Sequence, residues 1–279
     1  MKITFFGTTT LLFDDGKDQI FFDCHFTRPG LLKYIAGSGS TDKELADRLI
    51  KTHRIDRLKA IFVSHTHHDH VMDAPYVANC TNATIYGSLS AMNVGRGGNV
   101  PEERLIRFEA GGTYSVGDYS IKVIKSVHSK PTALNNDLGQ EITAPLTQPA
   151  RLRDYKEGGS YDFIVRARGK TYVIRPSFNY IEGQLDGIKA DYLFLGIAGL
   201  AKADIPTEQK FFAETVEKVN PSLIIPLHWD NFFTSLDKPV KSMPSFVEKT
   251  NVAFHRLSLY CEKKGIPTVT QMPLTSIEL

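Results

Sequence analysis

The segment Ser64-His65-Thr66-His67-His68-Asp69-His70 packs four of the chain's nine histidines and an aspartate into seven positions, directly after the apolar run Ala60-Ile61-Phe62-Val63. Imidazole and carboxylate together suit Zn²⁺, with Fe or Mn as alternatives. Side chains alternate along an extended segment, so His65, His67 and Asp69 are expected on one side, and Thr66 and His68 on the other. His70 is expected to open a helix, "HVMDAPYVANC", that turns its ring toward a neighbouring point. The pattern therefore offers two imidazoles to one ion, and a carboxylate with an imidazole to a second ion close by. A four-position match to H-x-H-x-D-H arises by chance on the order of once in a few thousand chains of this length, so a solvated His-rich turn is the weaker explanation.

Two remote histidines stand at the ends of apolar runs, His128 after "IKVIKSV" and His228 after "SLIIPL". A strand end is where a sheet presents a side chain to a rim site, so both are read as further ligands. His25 follows "QIFFDC" and is read as structural, with a place in the pocket wall as the alternative. His53 and His255 fall in helical patterns and carry no expected chemistry, while His68 faces away from the cradle and is not expected to bind metal.

Strands must carry this site, and runs rich in β-branched and aromatic residues predict them: "KITFFG", "QIFFDC", "AIFVS", "ATIYG", "SIKVIKSV", "DFIVRA", "TYVIRP", "YLFLGI" and "SLIIPL". Several are apolar throughout, as strands covered on both faces are. Helices are predicted over "TDKELADRLIKTH", with Thr41 and Glu44 as a capping box, and over "PTEQKFFAETVEKVN" up to Asn220-Pro221. A further helix, "NVAFHRLSLYCEKKG", ends on Gly265 as its C′ glycine. Hairpins lead and strands then alternate with helices, which predicts sheets packed back to back with helices outside.

No linker composition divides the chain, so one domain over residues 1–279 is expected. Residues 129–161 lack apolar periodicity and contain several prolines, and a loop this long reads as a flap or substrate-binding loop. The stretch "NVGRGGN" is a second candidate for substrate contact, with Arg96 either meeting an anion or serving as a surface turn residue. Trp229, Phe232 and Phe233, beside His228, either wall an apolar pocket or fill the core.

Lys and Arg number 33 against 31 Asp and Glu, for a net charge of +2, and the basic residues are scattered. This argues against nucleic acid and against a membrane surface as partner. The chain has no apolar stretch of about 18 residues and no signal-peptide pattern, so a cytoplasmic setting is the default expectation. Cys24, Cys80 and Cys261 show no C-x-x-C spacing and are read as free, mostly buried thiols.

These residues carry a resemblance: the chain resembles the metallo-β-lactamase-fold superfamily. "HTHHDH" matches its HxHxDH motif, His128 its third-motif histidine and His228, in "PLHWD", its late-motif histidine. The order and spacing fit from the opening hairpins "ITFFGTTTLLFDDGKDQIFFD" to the C-terminal region. Within the superfamily, "DAPYVANCTNATIYGS" and "LGIAGL" followed by "HWDNF" are similar to a bacterial branch labelled only as Zn-dependent hydrolases. That branch is distantly similar to the ascorbate-6-phosphate lactonase group and to the N-acyl-phosphatidylethanolamine phospholipases. The resemblance implies an α/β fold, a four-layer αββα sandwich with metals in a cleft at one sheet edge. It implies one or two Zn²⁺ ions, His65, His67 and His128 holding the first and Asp69, His70 and His228 the second.

One departure matters. The superfamily's fourth motif puts a metal-bridging aspartate just after a strand of the second half, and here the matching stretch "TYVIRPSFNY" offers Ser177. A hydroxyl is a poor ligand beside a carboxylate and brings no charge to offset two dications. Arg175 would add positive charge if it pointed inward. Either the second ion binds weakly through Asp69, His70, His228 and water, or the site works with one ion.

The implied activity is hydrolysis of a small-molecule substrate, anionic in one version, at an ester, lactone, amide or phosphodiester centre. Asp69 would orient the attacking water and Ser177 would donate a hydrogen bond to it. The competing reading, drawn from Ser177, is a non-catalytic metal-binding or sensing protein. A flavodiiron-type oxidoreductase would replace the second-motif histidine with Glu, whereas His67 stands here, and a nuclease would need a basic stripe that the chain lacks.

Overall fold

The structure is a computed structural model and describes residues 1–131 and 136–279. The first half runs β1 (Lys2–Gly7), β2 (Thr10–Asp14), β3 (Gln19–Phe22), α1 (Leu31–Ala36), β4 (Ser38–Gly39), α2 (Lys43–Thr52), β5 (Leu58–Phe62), α3 (His68–Val71), α4 (Ala74–Thr81), β6 (Thr84–Gly87), α5 (Leu89–Gly97), β7 (Leu105–Arg107), β8 (Thr113–Val116) and β9 (Tyr119–Ser126). The second half runs β10 (Ala150–Arg151), β11 (Ser160–Ala167), β12 (Lys170–Arg175), β13 (Tyr192–Gly196), α6 (Ile205–Phe212), β14 (Leu223–Leu227), α7 (Thr250–Lys264) and β15 (Thr275–Glu278). Each apolar run expected to form a strand does so.

A seven-stranded sheet has the order β15-β1-β2-β3-β5-β6-β7, and a six-stranded sheet the order β14-β13-β12-β11-β9-β8. The period of two along each strand decides which side of the first sheet a residue serves. Ile3, Phe5, Leu11, Phe13, Ile20, Phe22, Ala60 and Phe62 face the second sheet, whose inner strands contribute Ile121, Val123, Phe163 and Val165 to the same core. Their neighbours Phe6, Leu12, Phe21, Ile61 and Val63 face outward onto Leu45 and Leu49 of α2 and Val77 of α4. Phe211, Phe212 and Leu257 of α6 and α7 belong to the first core, so helices cover both outer faces. That is the αββα arrangement, and it explains why these strands read as unbroken apolar runs.

Three local expectations need correction. The cap of α2 is Asp42, whose carboxylate accepts the Leu45 N–H at 3.0 Å, while the Thr41 hydroxyl instead donates to the Met72 carbonyl. The helix expected from His70 starts two residues earlier as α3, with His67 at its N-cap, and a break at Met72-Asp73 separates it from α4. Asp69 therefore lies in a helical turn and not in an extended segment. "NVGRGG" is the end of α5 rather than an open loop. The helix predicted up to Asn220 is α-helical only through Phe212 and continues as a π-helical stretch over Ala213–Glu217, while α7 forms as predicted and Gly265 closes it in the left-handed conformation with φ of 67°.

The sheets aim their chemistry at one edge. β12, β13 and β14 are parallel, and β9 is antiparallel to β11, which is antiparallel to β12. Hence β9 runs with β12 and β14, and the residues just past their ends, His128, Ser177 and His228, emerge at the same rim.

Candidate metal centre

β5 delivers His65 and His67 and the following turn of α3 delivers Asp69 and His70; the second sheet supplies His128 and His228. Among the described residues these fall into two groups, His65 with His67 and His128, and Asp69 with His70 and His228. Within each group one ligand atom per residue lies within 4.8 Å of the others. The rings of the first group stand 4.7 to 4.9 Å apart, and His65 and His70 are 3.7 Å apart at their centroids, so the two groups adjoin.

Hydrogen bonds select the nitrogen that each ring can offer. His65 Nδ1 is 3.1 Å from Ser64 Oγ, His70 Nδ1 is 2.7 Å from Asp23 Oδ2, and His128 Nδ1 donates to the Ser129 carbonyl at 3.0 Å. Nε2 is left for these three. His67 is reversed, because its Nε2 lies 3.0 Å from Asp137 Oδ1. In the second group Asp69 Oδ2 is 3.4 Å from His228 Nε2 and 3.7 Å from His70 Nε2.

The donor set fits a metal ion on two counts. His65 Nε2 is buried and has no hydrogen-bond partner among the described residues, which costs free energy unless something binds it. Burial, and then the neighbouring His70, His128 and His67, hold the His65 imidazole well below its ordinary pKa. His128 is lowered to about 4, by burial and then by His67. Neutral imidazole is the form that ligates. Burial alone would raise Asp69, but His70, His228 and His68 outweigh it and hold that carboxyl well below the usual range, as a ligating carboxylate requires.

Both groups open on a cavity of about 510 Å³ whose lining includes His67, Asp69, His128, Ser177 and His228. The long loop contributes Ser129, Asp137, Gln140, Arg153 and Lys156 to this wall, as a substrate-binding loop would; its residues 132–135 lie outside the described residues. Phe232 and Phe233 also line it, whereas Trp229 is buried against Phe254, so the two readings of that aromatic group divide between its members. Arg96 does not reach the cavity. Its guanidinium pairs with Glu102 on the surface, so the surface reading holds. His25 is fully buried, with its backbone N–H on Thr10 Oγ1, which fits a structural role, and His53 packs on Phe6. His68 lines the cavity beside Phe232 but belongs to neither group.

The sequence profile described as the Beta-lactamase superfamily domain matches residues 19–229, a span that includes all six candidate ligands. The chain belongs to the beta-lactamase superfamily. Among solved structures, the metallo-beta-lactamase fold protein YhfI from Bacillus subtilis matches 99% of this chain and 99% of its own, with a TM-score of 0.60 at 13% identity, which shows the shared fold. A metal-dependent hydrolase of Roseiflexus castenholzii is 28% identical over 179 residues, 64% of this chain and 67% of that protein. A metal-dependent hydrolase of Myxococcus xanthus is 36% identical over 78 residues, 28% of this chain, and the match spans only 27% of that relative.

In this member of the beta-lactamase superfamily, Ser177 follows a buried ion pair. Arg175, two residues before it, does not point at the ligands: it is 1% exposed and its Nε donates to Asp162 Oδ2 at 2.8 Å. The positive charge weighed for the site is thus neutralised inside the second sheet.

His228 adopts φ of 58°, unusual for a residue with a Cβ and worth on the order of 1 kcal/mol of strain. Its N–H donates to the Thr8 carbonyl at 2.6 Å, and the Thr8 N–H in turn donates to Asp230 Oδ1 at 2.7 Å. Gly7 makes room for this: a Cβ there would sit 1.8 Å from Arg28 Nη2.

Sequence reasoning passed over Asp23. Its carboxylate accepts from Ser64 N–H at 2.7 Å, Ser64 Oγ at 2.8 Å, Thr9 Oγ1 at 2.5 Å and His70 Nδ1 at 2.7 Å. The available signal was an acid closing the apolar run "QIFFD", where a charge has no reason to stand unless it is paired. Asp23→Ala leaves several buried donors without an acceptor and is expected to lower stability by about 3 kcal/mol, read from urea unfolding of the metal-free protein.

Proposed function

We propose that the protein is a metal-dependent hydrolase of a small ester, lactone, amide or phosphodiester, with Zn²⁺ at one or both groups and Fe or Mn as alternatives. The observation that carries this reading is the pair of adjoining buried ligand groups at the floor of one cavity. His65, His67 and His128 would hold the first ion, and Asp69, His70 and His228 the second. What such an ion supplies when bound is Lewis acidity, which brings water to a near-neutral pKa and polarises the bond to be cleaved.

The chain's own groups do the rest. Asp69, ionised and facing the cavity, would accept a hydrogen bond from the attacking water, take up its proton as the water bonds to the substrate centre, and pass that proton to the leaving group as the scissile bond breaks. The Ser177 hydroxyl, on the same cavity wall, donates a hydrogen bond to that water. Lys130, Arg153, Lys156 and Lys202 stand around the same cavity and favour an anionic group on the substrate, while Phe178, Phe232 and Phe233 offer it an apolar surface. A cytoplasmic setting belongs to the same reading; among the described residues no helix is long and apolar enough to cross a membrane.

The test joins elemental analysis of the purified protein to turnover of a panel of esters, lactones and phosphodiesters. Full metal occupancy with no turnover of any member would favour the second reading, a metal-binding or sensing protein, for which Ser177 in the bridging position is the motive. Ser177→Asp addresses that position directly. It is expected to raise bound metal from near one ion toward two per chain, and an unchanged stoichiometry would show that the second group does not bind metal weakly.

A further inference from the structure

Four of the candidate imidazoles can be sorted by the group that holds the far side of the ring. For His65, His70 and His128 that group lies beside them in sequence or in the sheet: Ser64, Asp23 and the Ser129 carbonyl. For His67 it comes from the long loop, Asp137 Oδ1 at 3.0 Å from Nε2. This ring is also the one whose nitrogens are used in the opposite sense, with Nε2 held and Nδ1 left over.

The same loop grips the chain between the two motif histidines. Thr66 N–H donates to the Glu157 carbonyl at 2.9 Å and Thr66 Oγ1 to the Lys156 carbonyl at 2.5 Å. Within the loop, Gln140 N–H donates to the Asp137 carbonyl, Gly158 N–H to the Gln140 carbonyl, and Gly139 N–H to Glu157 Oε2, each at 2.9 Å. Asp137, Gln140 and Lys156 meanwhile line the cavity. One connected piece of backbone therefore forms substrate wall and ligand support together.

We propose that Asp137 is a positioning residue of the first site: it fixes His67 as the Nε2–H tautomer, keeps Nδ1 free for the metal, and thereby ties metal affinity to the seating of the loop in the cavity wall. A carboxylate behind a ligating imidazole orients the ring and raises its basicity. Because coupling between sites is reciprocal, a molecule that braces residues 137–158 tightens metal binding by the same factor by which metal tightens its own.

This rests on the reading of His65, His67 and His128 as a metal site, and the experiment separates the two. Zinc is titrated into the metal-free parent, Asp137→Ala and Asp137→Asn in competition with a chromophoric chelator. Asp137→Ala is expected to bind zinc roughly 10- to 100-fold more weakly. Asp137→Asn, which keeps an acceptor oxygen without its charge, should lose less. Thermal unfolding of the metal-free proteins should stay unchanged, since Asp137 sits at the cavity wall rather than in a core.

In a long-range proton–nitrogen spectrum of the zinc-loaded parent labelled at histidine, His67 should be bound through Nδ1 with its proton on Nε2. Parent-like zinc affinity in both variants, or His67 bound through Nε2, would overturn the role of Asp137 while leaving the site in place. A parent that binds no zinc, iron or manganese would overturn the site and this role together.

Discussion

Asp69→Ala is expected to reduce turnover of whichever panel substrate the protein hydrolyses on the order of 10³-fold or more, and to empty the second metal position. Asp69 is the one carboxylate among the six candidate ligands. Its group otherwise offers two imidazoles, and no negative charge reaches it from Ser177. Two imidazoles alone cannot match a carboxylate as partners for a hard dication. In the proposed function Asp69 also orients the attacking water, so on that reading one substitution removes a ligand and a proton acceptor together.

Asp69→Asn divides these losses. The amide keeps the shape and one acceptor oxygen but carries no charge and cannot take up a proton. It is expected to retain part of the metal and to lose kcat with little change in KM, the pattern of an interaction made in the transition state. Elemental analysis beside steady-state kinetics reads both quantities on the same sample. Parent-like kcat in Asp69→Asn would sink the proton-acceptor role, whatever the metal content.

The six candidate ligands that the fold gathers into two groups were legible because each sits where sequence alone marks it, in one short motif or just past an apolar run. The sandwich was legible for a related reason: Phe5 and Phe6, or Phe21 and Phe22, are both buried, and only a sheet covered on both faces buries consecutive strand residues. What failed was local geometry that tertiary contacts override. Alternation was carried two residues too far, since nothing in "HTHHDH" marks His67 as the N-cap of α3. The glycines of "NVGRGGN" suggested a loop approached by a ligand, yet Gly97 is approached by the chain itself: a Cβ there would lie 2.0 Å from the Leu146 carbonyl oxygen. Asp23 and Asp137 were invisible as ligand supports because their partners His70 and His67 lie 47 and 70 residues away, and spacing carries no signal over such distances.

Arg175→Met is expected to destabilise the protein by about 3–5 kcal/mol, because it leaves a buried carboxylate without its cation. Asp162 and Arg175 are each 1% exposed at the side chain and 2.8 Å apart. Burial already raises the Asp162 carboxyl, with Arg175 the main group opposing it and Ser126 a lesser one; without the guanidinium, burial is opposed less and the folded-state pKa rises further above the unfolded value. Stability carried by the protonated form is present at low pH and lost as pH rises through that folded value, so the deficit should be larger near neutrality than in mild acid. Pairing the substitution with Asp162→Leu removes the stranded charge and is expected to recover most of the loss, since an apolar pair of similar volume can replace a buried ion pair. Thermal unfolding should show a fall on the order of 10 °C for the single variant and a much smaller one for the double. The guanidinium also reaches the rim: Nη2 donates to the Asn179 carbonyl at 2.9 Å, and Asn179 Nδ2 donates to the His128 carbonyl at 2.7 Å. That chain frames the turn bearing Ser177 and anchors His128, a candidate ligand of the first site, so the double variant, though stable, should bind metal more weakly than the parent. Parent-like metal affinity in the double variant would show that Arg175 serves the fold alone.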